Sequence, residues 1–205
     1  MRSSLHHIAI AACFLLLGGC WGISTYPFYR TQDIVTQKDP LSGAWLCSDD
    51  EKQKDFDQSW TIKKLPNGHY RATDADQSHW LLVLFHLKGA GHFIDYVQLN
   101  KQGDGYLESG PINDRPFHDV MKVDFGNGTF KTKMFGIGEW LSARLKSHPN
   151  ELKHIVNYKP GSNSERLTGA GELFITAETA DLQAFLIKHH NNPKAFLPGL
   201  ECKRK

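Results

Sequence analysis

The chain has 205 residues, long enough to bury a sizeable core within a single domain. Its 24 Lys and Arg against 22 Asp and Glu leave a formal charge of +2, with no long basic block. That balance gives no electrostatic footprint for nucleic acid, and Lys203-Arg204-Lys205 reads as a short solvated end.

Arg2 is the only charge among the first nineteen residues. Ile8 to Leu17 is an apolar run of ten, followed by the small residues Gly18 and Gly19. This is the layout of a signal peptide, over residues 1–19. The run is too short to stay in a bilayer as a spanning helix, which takes about 20 apolar residues. Leu17-Gly18-Gly19-Cys20 resembles the lipobox of bacterial lipoproteins. The resemblance implies a diacylglyceryl group on the Cys20 thiol, cleavage before it, and acylation (a palmitate-type chain) of the new amino terminus. The membrane is then a partner through lipid. Lipoproteins that Gram-negative bacteria keep in the inner membrane often carry aspartate after the cysteine. Trp21 stands there instead, which implies the outer membrane, facing the periplasm.

Cleavage leaves 205 − 19 = 186 residues. Cys13 departs with the signal, so Cys47 and Cys202 remain. An oxidising compartment makes one disulfide the default; two free thiols are the alternative. Closing a loop of 155 residues stabilises by up to roughly 5 kcal/mol in the chain-entropy model. Neither cysteine has a neighbour at zinc-ligand spacing.

Residues 20–40 are expected to be the lipidated N-terminus and a tether. Fully extended, such a segment reaches about 65 Å. Tyr26, Phe28 and Tyr29 are expected to pack on the domain rather than sit at the membrane interface. The globular domain is expected over 41–205.

"LSGAWLCS" opens it as a short strand. "SWTIKKL" and "HYRATDA" flank Pro66-Asn67-Gly68 and read as a hairpin. "HWLLVLFHLKG" is a buried strand. "GHFIDYVQL" alternates Phe93, Asp95, Val97 and Leu99 against His92, Ile94, Tyr96 and Gln98, and neither set is purely apolar. Residues 100–116 read as a loop. A second hairpin turns at Gly126-Asn127-Gly128. Ile137, Trp140, Leu141 and Leu145 share one helical face, and Pro149 stops that helix. Thr176 can cap a second helix carrying Leu182, Phe185, Leu186 and His189 at i, i+3, i+4 and i+7. "LKHIVNY" and "ERLTGAGELFIT" are expected strands.

Gly43-Ala44-Trp45 resembles the G-x-W of lipocalins, whose tryptophan closes one end of an eight-stranded barrel. Antiparallel hairpins, a late helix and a cysteine near the C-terminus agree with it. Thr73-Asp74 departs from it, since Ala75 follows where the second lipocalin motif has an aromatic residue. "GHFIDYVQL", "EWLSARLKSHPNELKH" and "ELFITAETADLQAFLIKHHNNPKAF" are similar to a group of small exported bacterial lipoproteins with a β-rich front and a late helix. That likeness implies a fold and no catalytic residue. The expectation is a β-rich α+β domain: a curved antiparallel sheet or lipocalin-like barrel plus two helices.

Candidate chemistry is sparse. Eleven histidines are scattered, with no H-E-x-x-H, so no metal site is expected. There is no G-x-S-x-G, P-loop or Rossmann fingerprint, and no cofactor is expected. Asp49, Asp50, Glu51, Asp55 and Asp57 alternate with Lys52 and Lys54 and read as a solvated loop rather than a calcium site. Three functions stay open. One is a binding or accessory protein, with Trp45, Trp60, Trp80 and Phe85 lining a site for a small apolar ligand. Another is an envelope hydrolase using His92, His118 and Asp95, which a shared cleft would support. The last is a scaffold for an envelope protein, which an exposed apolar patch would favour.

Overall fold

A computed structural model describes residues 23–48, 58–106, 116–136, 139–157 and 172–205. The signal, the lipobox, the 49–57 acidic loop and Ile137 lie outside them. The chain forms β1 (Ile23–Ser24), β2 (Gly43–Ser48), β3 (Gln58–Lys64), β4 (Tyr70–Thr73), β5 (His79–Leu87), β6 (Gly91–Gln98), β7 (Asp119–Phe125) and β8 (Thr129–Phe135). It continues through α1 (Glu139–Ser147), β9 (His154–Asn157), β10 (Glu172–Ile175), α2 (Thr179–His189) and β11 (Phe196–Arg204).

Strands β2 to β8 form an antiparallel meander, and β11 inserts between β8 and β2 to close an eight-stranded barrel. The curved sheet expected from sequence is therefore a closed barrel, lipocalin-like in architecture. Closure removes the open edges a sheet would otherwise present. Strand β1 pairs parallel with β10, which pairs antiparallel with β9, in a separate three-stranded sheet.

The first hairpin turns where expected. Leu65 N–H donates to His69 C=O at 2.8 Å, enclosing three residues with Gly68 at φ +84°, a left-handed position that suits glycine.

Two apolar cores flank one barrel wall. Inside lie Trp45, Ile62, Tyr70, Leu82, Leu84, Ile94, Val123 and Phe130. Outside, Phe85, Phe93, Val120, Phe135 and Phe196 pack against Leu141 and Leu145 of α1 and Leu182, Phe185 and Leu186 of α2. Both faces of β5 and β6 are thus buried, so neither shows a polar face in sequence. Strand β11 serves both cores. Its register shifts between Pro198 and Glu201, so Phe196 faces outward and Cys202 inward. The Thr132 hydroxyl accepts the Leu200 N–H at 2.8 Å beside that shift.

Two expectations need correction. Residues 23–40 are not a free tether. Ser24 exchanges backbone bonds with His118, Thr25 N–H donates to Ile175 C=O, and Val35 N–H donates to Leu84 C=O. Phe28 is 1% exposed. This strap lacks a hydrophobic period because scattered contacts, not a regular element, hold it. Thr176 does not cap α2 either: Glu178 is the N-cap, and the Thr176 hydroxyl is buried without a partner.

Cys47 and Cys202 are register partners on β2 and β11 and form a disulfide across the barrel seam. Alkylation of the unfolded, unreduced protein should leave both thiols unlabelled. Replacing both by alanine should cost about 2–5 kcal/mol in urea unfolding.

Candidate functional site

The two barrel ends differ. At one end Trp45 is buried, and its Nε1–H donates to Leu41 C=O at 2.7 Å. Phe130 meets its ring edge-on at 4.7 Å, and the Arg204 guanidinium lies 4.8 Å from the ring centroid. Gly43, at φ +142°, makes room for this: a Cβ there would stand 3.1 Å from the Arg204 side chain. Leu41 is fully buried over the same end. Trp45 belongs to the packing of that end.

Toward the other end, the inward-facing Trp80, Met121 and Met134 are only partly buried, while Trp60, the register partner of Trp45, lies between the ends. This end adjoins the connections 49–57 and 107–115, which are outside the described residues. Its inner wall carries polar groups with no partner: the Tyr96 hydroxyl and the Trp80 Nε1–H are buried and unbonded. The two rings meet edge-on at 6.0 Å. Asp119 is the register partner of Tyr96 across β6 and β7. It keeps some accessible surface, yet burial, aided by the charge of Asp95, pushes its carboxyl up to about 8. Burial likewise drives the Tyr96 hydroxyl well above its ordinary range, with Asp119 and Asp95 adding to the effect. An unbonded buried donor costs about 1–3 kcal/mol. A third buried donor of the inner core without a partner among the described residues, the Tyr70 hydroxyl, lies toward the Trp45 end.

Phe85 is not part of this wall. It packs in the outer core, stacked on Phe93 at 5.7 Å. Trp80 and Phe85 are five residues apart on one strand, and the two-residue period of a strand sends them to opposite faces.

Asp95 and His118, two hydrolase candidates, do meet. His118 Nδ1 lies 2.8 Å from Asp95 Oδ1. The other carboxyl oxygen accepts the Phe28 N–H at 2.8 Å, and Asp95 is 1% exposed. His92 is on the opposite face of β6, with its ring 4.9 Å from that of His86. The three do not share a cleft. The pair clamps the strap, and Gln183 on α2 completes the clamp by donating to Phe28 C=O at 3.1 Å and Asp33 Oδ2 at 2.8 Å.

A second polar junction ties the helices together. Glu151 accepts from Arg144 of α1 and, at 2.6 Å, from Lys188 of α2, with His189 Nε2 at 3.1 Å. The Arg144 hydrogen bond comes first among the causes that hold the Glu151 carboxyl far below the usual range. Among the described residues no three His, Cys, Asp or Glu gather as a metal site.

The two carboxyls impose opposite pH dependences. Folded Glu151 releases its proton more readily than the unfolded chain, so its contribution is present above about pH 4.5 and fades below it. Glu151→Gln should cost about 1–3 kcal/mol near neutral pH and progressively less in acid, measured by urea unfolding. Asp119 holds its proton more tightly when folded, so its contribution is full below pH 3.8 and falls as pH rises to about 8. Asp119→Asn should remove that decline and leave the variant more stable than the parent above about pH 8. No protein-family model, curated protein or solved structure matches the chain, so the geometry above carries the functional reading.

Proposed function

We propose that the chain is a lipid-anchored lipoprotein of the outer membrane, facing the periplasm, whose barrel binds a small, largely apolar molecule carrying a hydrogen-bond acceptor. One observation carries the binding reading. In the barrel end read here as a mouth, the partly buried Trp80, Met121 and Met134 share the inner core with two buried donors, Tyr96 Oη and Trp80 Nε1, that have no partner among the described residues. A barrel of eight strands has an interior that side chains just fill or that holds one small ligand. Methionines adapt to irregular shapes, which suits a ligand surface more than a rigid core. Trp80 Nε1–H can only donate, so the ligand must bring an acceptor. A protonated Asp119 would supply a further donor near neutral pH. The lipobox supports the anchor, with Cys20 as the acylated residue. Two acyl chains or more make such attachment stable.

Native mass spectrometry of residues 21–205 from periplasmic expression should find a stoichiometric small molecule. Tyr96→Phe should weaken its retention about 5–100-fold through one lost hydrogen bond, while raising unfolding stability in the ligand-free state by about 1–3 kcal/mol, the cost of the unbonded hydroxyl. A bare protein mass that also fails to take up apolar molecules from an envelope extract would refute the binding reading. Separately, Cys20→Ser should abolish labelling by a palmitate analogue, and persistent labelling would rule out Cys20 as the acyl site.

A further inference from the structure

The strap sets how far the domain can stand from a membrane. Ile23 is already in register with Phe174 of β10, and Phe174 with Ile155 of β9. Only Trp21 and Gly22 separate Ile23 from Cys20 in the chain. Three residue steps reach about 11 Å at full extension. The polar interfacial layer of one leaflet is itself about 5–8 Å thick. A lipid on Cys20 would therefore hold the Ile23 end of the three-stranded sheet at the headgroups, with none of the 65 Å freedom of a tether.

That end carries apolar surface. Ile155, on the edge strand of the sheet, is 45% exposed. Phe117 stacks on Phe174 at 5.8 Å and stays partly exposed. It also adjoins the barrel end that the proposed function reads as the mouth. Ser24 pairs with His118, and the next residue, Asp119, begins β7 on the inner wall there. The opposite end, with Trp45 and the β5–β6 turn at Lys88, stands about 20 Å away along the tilted strands.

We propose that the Ile23 end of the three-stranded sheet, with Ile155 on its edge, docks on the bilayer, so that the barrel mouth opens beside the membrane surface and loads from it. This rests on the lipid anchor proposed above. The occupant of the apolar edge is then the lipid interface to which the chain is tied.

The test uses the full-length lipidated protein in phosphatidylethanolamine–phosphatidylglycerol vesicles containing lipids brominated high on the acyl chains. A bimane label is attached through Ile155→Cys or Lys88→Cys, both exposed positions, with the disulfide intact. Quenching should be several-fold greater at residue 155 than at residue 88. Equal quenching at both, or more at residue 88, overturns the docking geometry while leaving the anchor standing. The mass of the same preparation separates the two ideas: a Cys20 without diacylglycerol overturns the anchor, and the docking with it. A Gly-Ser linker of a dozen residues between Gly22 and Ile23 should erase the difference between the positions. If the difference survives the linker, the short chain is not what sets the geometry, and the proposal fails.

Discussion

Closure of the barrel by its last strand is the constraint on which the rest of the structure depends. Strands β2 to β8 are joined by short local turns, apart from the long connections around residues 49–57 and 99–118, and could in principle form from neighbouring contacts. They leave two open edges, one on β2 and one on β8, and only β11 covers both. Its bonds to β2 span most of the chain, so they repay a large loop-closure entropy late. The disulfide between Cys47 and Cys202 lies on that seam. Arg204, the last residue of β11 and two past Cys202, reaches Trp45 and joins the seam to that end of the barrel.

What the chain does between β8 and β11 follows from the same constraint. It must leave the barrel and return, and the excursion holds α1, β9, β10 and α2. These elements bury the outer face of β5, β6 and β8, which becomes a second core. A wall buried on both sides cannot bend away to admit a ligand sideways. Access to the interior is then along the axis, and Trp45 with Leu41 fills one end. The end with Trp80, Met121 and Met134, read here as the mouth, is the remaining route.

The polar residues divide by role along this wall. Asp95 faces outward and spends both oxygens on structure, one on His118 and one on the strap. Tyr96, its neighbour, faces inward with its hydroxyl unbonded. One residue step on β6 thus separates a saturated clamp from an unsaturated wall. The histidine–aspartate pair is thereby part of the architecture, its carboxylate fully used by the strap and His118. The two faces are also coupled: the charge of Asp95 is among the causes that raise Asp119 across the wall.

Local signals in the sequence determined much of this. Glycine turns at Gly68 and Gly128 set the hairpins, and the spacing of Leu182, Phe185 and Leu186 set the buried face of α2. The pairing of Cys47 with Cys202 followed from compartment and count. The alternation along β5 already separated Trp80 from Phe85, though apolar residues on both faces hid which side was interior. Tertiary structure decided what depends on wrapping. The meeting of Asp95 with His118, 23 residues apart, comes from the antiparallel pairing of β6 with β7, which puts Val120 opposite Asp95 and His118 diagonal to it. The packing of residues 23–40 has no period to read, because scattered contacts hold it: backbone bonds to His118, Ile175 and Leu84, the buried Phe28 ring, and polar contacts to Asp95 and Gln183. Closure itself was open in sequence between a curved sheet and a barrel, since local turns fix each hairpin but not whether the eighth strand returns to the first.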